Sequence, residues 1–319
     1  MKTLLIDAMN IFIRAYVVNP SMSEQGHHVG GALGFLKSIA AISRRFSPDD
    51  MIVIWEGGGS PRRRALLPEY KGNRRPVRLN RAEIYEDIPN TKENFNHQVS
   101  MCTKLLNKTP IRQIYVPDCE ADDVIGYLAK HSIKGDVIIA SSDKDFYQLI
   151  NSEVIQWTPT RKKIVDVSDV LSEFNIHPIN FATAKAFVGD NSDNIDGIKG
   201  CGFKTLVKRF PKMSDPEFVS VDDIISECTA TPEKKRLSIH NNILADQEKV
   251  KRNWRLMYLD TANLSAHHIE RIDGFYQYKD QKRDKLGMIR ALVEEGITLP
   301  RSLDVDKFYL DLSTIKATK

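Results

Sequence analysis

Nine carboxylates fall in short clusters along this chain: Asp7, Glu56, the Glu120, Asp122 and Asp123 group, the Asp143 and Asp145 pair, and Asp190 with Asp193. Gathered in one fold, such groups repel and raise one another's pKa, so they stay together only where cations neutralise them. Hard oxygen donors without thiolates or paired histidines select Mg²⁺ or Mn²⁺. Two such ions side by side stabilise the attacking and leaving oxygens of a phosphodiester hydrolysis. That chemistry requires a backbone that brings distant acids to one place.

Apolar runs of strand length occur at Thr3 to Ile6, Met51 to Trp55, Ile111 to Val116, Asp136 to Ala140 and Glu153 to Trp157, separated by helix-length amphipathic stretches. This alternation predicts an α/β fold with a mostly parallel central sheet flanked by helices. In LLID, VIWE and IIASSDKD the acids sit at the far ends of the runs, where open parallel sheets bind their ligands. Glu120 opens a predicted helix reaching about His131, with Val124, Leu128 and Ala129 on its apolar side. Taken alone, Glu120, Asp122 and Asp123 would also suit any helix start, where acids complement the dipole.

With 319 residues, 41% hydrophobic and 28% charged, the chain has the composition of an ordinary globular protein. Cys102, Cys119, Cys201 and Cys228 are scattered without C-x-x-C spacing, which argues against a zinc site or a disulfide framework and favours a reducing cytoplasm. The opening MKTLLIDAMNIFIRAYVV is interrupted by Asp7, Asn10 and Arg14, so it is expected to be a strand and helix, and not a signal peptide or membrane span. The net charge of +4 says little, but its distribution says more. Between Ser60 and Arg81 eight basic residues stand against the single acid Glu69. The stretch from about 57 to 96 also holds Gly57, Gly58, Gly59 and four prolines and lacks an apolar face, which predicts a basic, flexible arch over the site. From Phe181 to Phe210 the sequence predicts helix, glycine-punctuated turn, helix, where Gly197, Gly200 and Gly202 let backbone approach a phosphate and Lys199, Lys204 and Lys208 add charge.

The segments LIDAMN, PEYKGNR at 68–74, EADDVIGYLA at 120–129, SSDKDFYQL at 141–149 and GDNSDNIDGIKGCGFKT at 189–205 resemble, in order and spacing over roughly residues 3 to 260, the 5′-nuclease family. That family includes flap endonucleases, free-standing bacteriophage ones among them, and the 5′-nuclease domain of bacterial DNA polymerase I. The resemblance implies a PIN-like core over residues 1–180 carrying the arch, and a helical region over 181–319 whose helix-three-turn-helix, at about 181–210, grips duplex DNA. It implies two divalent cations, with Asp7, Glu56, Glu120 and Asp122 as ligands of one, Asp143, Asp145 and Asp193 of the other, and Asp123 and Asp190 nearby or holding water. It further implies Lys71 and Arg74 as the residues acting on the scissile phosphate. DNA contacts are implied for Arg14, Tyr16, Arg63, Tyr70, Lys199, Gly200, Gly202 and Lys204, and a K⁺ ion held by the main-chain carbonyls of Asp196, Ile198 and Cys201.

The activity so implied is structure-specific cleavage of 5′ flaps and 5′-ended duplexes in replication and repair by a monomer in a bacterial or phage-infected cytoplasm, with RNA–DNA hybrid as a further substrate and replication proteins as partners. The family usually carries Asp where this chain has Glu56, seven residues before Arg63; the longer side chain shifts the first metal or binds it through water. A PIN-like RNA-directed nuclease and a branched-DNA-binding protein without catalysis are the alternative readings. The presence of an acid at every expected position speaks against the latter.

Overall fold

The computed structural model describes residues 1–74, 77, 92–278 and 282–316. Six strands form the main sheet: β1 (Thr3–Asp7), β2 (Asp50–Trp55), β3 (Arg112–Tyr115), β4 (Val137–Ala140), β5 (Val154–Thr158) and β6 (Lys163–Val165), in the order β3-β2-β1-β4-β5-β6. The first five run parallel and β6 closes one edge antiparallel. Every residue of β1 and β2 is buried. Their continuous apolar runs follow from that, because a parallel strand covered on both faces has no solvent side to fill with polar residues. The register aligns the strand ends: Asp7 lies opposite Ile54 of β2, and Ile6 opposite Ala140 of β4. Residues following β1, β2 and β4 therefore leave the sheet along one edge.

The helices, in chain order, are α1 (Ala8–Val18), α2 (Gly30–Phe46), α3 (Pro61–Leu66), α4 (Lys92–Leu106), α5 (Ala121–Tyr127), α6 (Val167–Phe174), α7 (Phe181–Val188), α8 (Phe203–Arg209), α9 (Val221–Ala230), α10 (Ser238–Ala245), α11 (Gln247–Met257), α12 (Ala266–Gln277), α13 (Lys285–Glu294) and α14 (Val305–Asp311). On one sheet face Phe12, Phe35, Leu36 and Leu105 pack with Leu4, Ile6 and Val53. On the other, Val124, Ile125 and Ile272 pack with Leu5, Ile52, Ile54 and Ile139. A third core, built around Phe181, Phe187, Leu206, Ile243 and Leu256, joins α7 to α11 and includes Tyr147 and Val165 from beside the sheet.

Packing does not break at residue 180. Met288 and Leu292 of α13, Phe308 of α14 and Leu312 just after it belong to the same core as Leu4 and Phe35, so the C-terminal segment returns to the sheet. The helix beginning after Glu120 is regular to Tyr127 and then widens into a π-turn over Leu128–Ser132. At the root of the basic stretch, α3 starts with Pro61, and the Ser60 hydroxyl accepts from Arg63 N at 3.2 Å, a regular N-terminal cap. Residues 75, 76 and 78–91, on which most of the expected arch falls, lie outside the described residues. No helix among the described residues is long and apolar enough to cross a membrane.

Because Leu292 is fully buried between α13 and the sheet-covering helices, Leu292→Ala is expected to cost about 2–5 kcal/mol. Urea unfolding checks this; a loss no greater than that of an exposed-site control such as Leu286→Ala would show that α13 is only loosely docked.

Candidate functional site

Asp7 ends β1 and caps α1, accepting from Asn10 N at 3.1 Å and from the Ser141 hydroxyl at 2.8 Å. Ser141 follows β4 directly, and its hydroxyl also accepts from Asp143 N at 3.1 Å, while Asp143 in turn accepts from Asp145 N at 2.9 Å. Gln156 of β5 donates to the carbonyls of Ser141 and Asp143 at 2.8 and 2.7 Å, fixing this loop from the side. Glu56 follows β2 and accepts from Gly59 N at 3.0 Å and Ala121 N at 3.4 Å. Three strand ends and the start of α5 are thus bound together through acidic side chains.

The cations come from elsewhere in the chain. Arg63 of α3 is 1% exposed; its guanidinium meets both Asp123 oxygens at 2.5 and 2.7 Å, Glu120 at 2.8 Å and the Leu256 carbonyl at 2.7 Å. Lys71 Nζ donates to Glu120 at 2.8 Å and lies 4.0 Å from Asp193. Arg74 reaches Asp193 at 2.7 Å. The Tyr70 hydroxyl is shared between Glu120 at 3.0 Å and Asp193 at 3.3 Å. Backbone contacts hold this root in place: Lys71 N donates to the Asp193 carbonyl at 2.9 Å, and Asn194 donates to the Glu69 carbonyl at 3.0 Å. Lys185 of α7 lies between Asp145 and Asp190, donating to both.

Protonation follows from this layout. Burial, reinforced by Glu56 and opposed by bonds from Ser141 and Asn10, raises Asp7 to about 6. Burial raises Asp145 to about 7, Lys185 pulling down and Asp143 pushing up. Asp122 is driven well above the carboxylate range by burial, with Lys71 opposing and Asp143, Asp7 and Glu120 adding repulsion. Asp143 is raised by burial and by Asp7 and Asp193; Glu56 is raised by burial and by Glu120. Burial acts on Glu120 and Asp190 too, but Arg63 and Lys71 outweigh it at the first and Lys185 at the second, so both are lowered.

The nine acids face four local cations, Arg63, Lys71, Arg74 and Lys185, which leaves a formal excess of five negative charges. Among the described residues no three acidic, histidine or cysteine side chains close on one point as a finished metal cage; lysine and arginine contacts hold several of the oxygens instead. The all-oxygen donor set and the uncompensated charge fit hard divalent cations. A cleft of about 550 Å³ beside the cluster is lined by Asn10, Ser142, Asp143, Lys185 and Asp190.

The other expected contacts divide. Arg14 is exposed and lines a groove with Arg44, Arg45 and Lys162. Lys199, Gly200, Gly202 and Lys204 are exposed at the turn leading into α8. Gly200 has φ +77 with open space where a side chain would stand, so a partner's backbone can come close there. The Asp196 carbonyl accepts from Asn253 at 2.8 Å and the Ile198 carbonyl from Cys201 N at 3.0 Å.

Four expectations are corrected by burial and pairing. Tyr16, expected at DNA, is 1% exposed, with its ring against Phe95 and His28. Arg63, expected at DNA, is a buried clamp on acids. Asp123, expected near the metals, has both oxygens taken by that clamp. Tyr70 is 7% exposed and points its hydroxyl at carboxylates, leaving its ring little free face for a base. Lys185 was missed, although a lysine inside the apolar NFATAKAFV run, five residues before Asp190, was a usable signal.

In chelator, ionised Asp7 opposes folding. Its cost is complete above about pH 6 and vanishes below about pH 4, the ordinary carboxylate range. Asp7→Asn is therefore expected to raise the melting temperature of the metal-free protein by a few degrees at pH 8, with the gain disappearing toward pH 4 in calorimetry. A gain independent of pH would exclude charge as its cause.

Residues 2–175 match the family described as 5′-3′ exonuclease, N-terminal resolvase-like domain. The chain is 28% identical to a 5′-3′ exonuclease of Aquifex aeolicus over 68% of its own length and 72% of that protein. It is 30% identical to DNA polymerase I of Bacillus subtilis over 70% of its length, but spans only 25% of that protein. Its fold is similar to that of the bacteriophage T5 flap endonuclease solved with DNA and metal ions, with a TM-score of 0.68 and 23% identity over 87% of this chain and 98% of the other. Parallel sheet, strand-end acids and a sequence match across more than half of its length together show that the chain belongs to the 5′-3′ exonuclease family.

Proposed function

We propose that this protein is a structure-specific 5′-nuclease that hydrolyses phosphodiesters of branched or 5′-ended DNA. The observation that carries the reading is the convergence, at the carboxyl ends of β1, β2 and β4, of buried acids in charge excess with Lys71 and Arg74 from the root of the basic stretch. Relatives named as 5′-3′ exonucleases support it.

Asp7, Glu56, Glu120 and Asp122 would hold one Mg²⁺ or Mn²⁺, and Asp143, Asp145 and Asp193 a second, with Asp190 beside it; Asp123 stays with Arg63. Bound ions supply a nucleophilic water at neutral pH and neutralise charge at phosphorus. The chain's own groups position the strand. Lys71 brings a compact charge and Arg74 a planar fork suited to phosphate oxygens. Lys71 rests on Glu120 and Arg74 on Asp193, so a phosphate held by the two cations would leave those carboxylates available to hold the ions. In-line attack leaves a 5′-phosphate and a 3′-hydroxyl.

Lys199, Lys204 and the backbone at Gly200 and Gly202 would hold the duplex without reading bases. A K⁺ ion falls to the carbonyls of Asp196, Ile198 and Cys201; the first two already accept one bond each, and each oxygen keeps a second lone pair. Arg14 would extend the contact along its groove. RNA–DNA hybrid is a further substrate of the same site, and a monomer acting beside replication proteins in the cytoplasm completes the reading.

Cleavage of an end-labelled 5′-flap DNA with and without Mg²⁺ tests the proposal; binding without Mg²⁺-dependent cutting overturns it. Asp143→Ala is expected to abolish cutting while flap binding, read by anisotropy, is retained. Lys71→Ala is expected to lower kcat by about 10²–10³-fold, the usual loss of one charge-stabilising donor, with affinity changed only a few-fold. Cutting by Lys71→Ala at the parent rate would remove Lys71 from the phosphate.

A further inference from the structure

A cavity of about 440 Å³ opens between α3 and the end of α11, lined by Arg62, Ala65, Leu66, Trp254, Arg255 and Asn263. Its polar character is one-sided. Trp254 Nε1 is buried without a hydrogen-bond partner, and an indole N–H can only donate. Arg62 and Arg255 are exposed, and neither guanidinium is paired with a carboxylate among the described residues. The Asn263 side-chain amide is engaged with the carbonyls of Arg255 and Tyr258 at 3.1 and 3.4 Å. Among the described residues no acid lines the cavity. Two guanidiniums and an orphan indole N–H around one space call for an anion with several acceptor oxygens, which is the chemistry of a phosphoryl group.

The indole is held rigidly. Its ring stacks on Tyr258 at 4.4 Å and 17°, and the Lys130 ammonium lies 4.4 Å over Tyr258 from beyond. The cavity is also tied to the acidic cluster. Arg63, next to Arg62, clamps Glu120 and Asp123 and donates to the carbonyl of Leu256, next to Arg255. Each cavity arginine is therefore one residue from the contact that fixes the cluster, at the root of the basic stretch.

We propose that this cavity binds a phosphate of the single-stranded 5′ segment of the substrate, beyond the bond that is cut. The proposal rests on the 5′-nuclease reading and adds to it a subsite for the displaced strand. A free nucleoside 5′-monophosphate carries the same group, so the test has an arm for each source.

The test compares the parent with Trp254→Phe, which keeps the stacked ring and removes the donor, and with Arg62→Gln/Arg255→Gln. Each is assayed on a flap DNA with a long 5′ single strand and on a nicked duplex with a flush 5′ end. Both variants are expected to lose kcat/KM on the flap, about ten-fold for the double variant, and to match the parent on the flush nick. For a single-stranded oligonucleotide, the slope of log K against log salt is expected to fall by about one in the double variant, near the 0.7 per phosphate contact of single strands. Equal losses on both substrates, or no loss on the flap, overturn the subsite. Quenching of Trp254 emission by thymidine 5′-monophosphate without any change in oligonucleotide slope assigns the cavity to free nucleotide and overturns the strand assignment. A parent that cuts neither DNA refutes the nuclease reading, while the salt slope still decides the cavity.

Discussion

Everything at this site depends on holding like charges together below the protein surface. Acids buried at close range raise one another's pKa, and a flexible scaffold would relieve the repulsion by letting them part. Here they cannot part easily. Asp7 is fixed by β1, which lies between β2 and β4 with every residue buried. The Ser141 to Asp145 loop is pinned by Asp7 and by Gln156. Residues beside these acids, in sequence or by hydrogen bond, belong to all three apolar cores, Ile6 to the first, Tyr70 to the second and Ala121 to the third, so apolar burial sustains an arrangement that electrostatics alone would disperse.

The cations divide the cluster into two kinds of acid. Where cations and hydrogen bonds together outweigh burial, as Arg63, Lys71 and Tyr70 do at Glu120 and Lys185 and Ser192 do at Asp190, the carboxylate is lowered and stays ionised. Where burial and neighbouring acids dominate, as at Asp7, Asp122 and Asp143, it is raised. Asp145 is the informative case: it touches Lys185 and is still raised to about 7, so one ammonium shared with Asp190 does not offset its burial and Asp143. The raised group is where a further positive charge is most stabilising, and it is drawn from β1, the β4 loop and α5 together. Divalent cations bound there would act on the acids whose burial the chain's own cations do not offset.

How much of this the sequence disclosed follows from the range of each interaction. The parallel strands were legible to within a residue or two; β1 and β2 are buried on both faces, which leaves continuous apolar runs. The acids were legible because they cluster in sequence at strand ends. Lys163–Val165, a three-residue edge strand with two exposed positions, carries no such pattern. Helices α13 and α14 were readable as helices, yet an amphipathic face does not state which surface it covers, and their docking on the first sheet face came only from the structure. Arg63 and Tyr16 show the same limit for side chains. An arginine in a basic run reads as solvated until Asp123, sixty residues away in sequence, is found against it. Tyr16 reads as available until Phe95 closes over it.

Glu56 joins the end of β2 to the start of α5. Its side chain reaches two amides: one oxygen meets Gly59 N and the other Ala121 N, the first amide of α5. A carboxylate there benefits from the helix dipole, yet burial and Glu120 still raise its pKa, so the dipole and two amide donors only partly offset its surroundings. Glu56 therefore braces the end of β2 to the start of α5, the helix that carries Asp122 and Asp123. Each Glu56 oxygen accepts one amide and keeps a second lone pair, so a cation could be held there with the brace between β2 and α5 still in place.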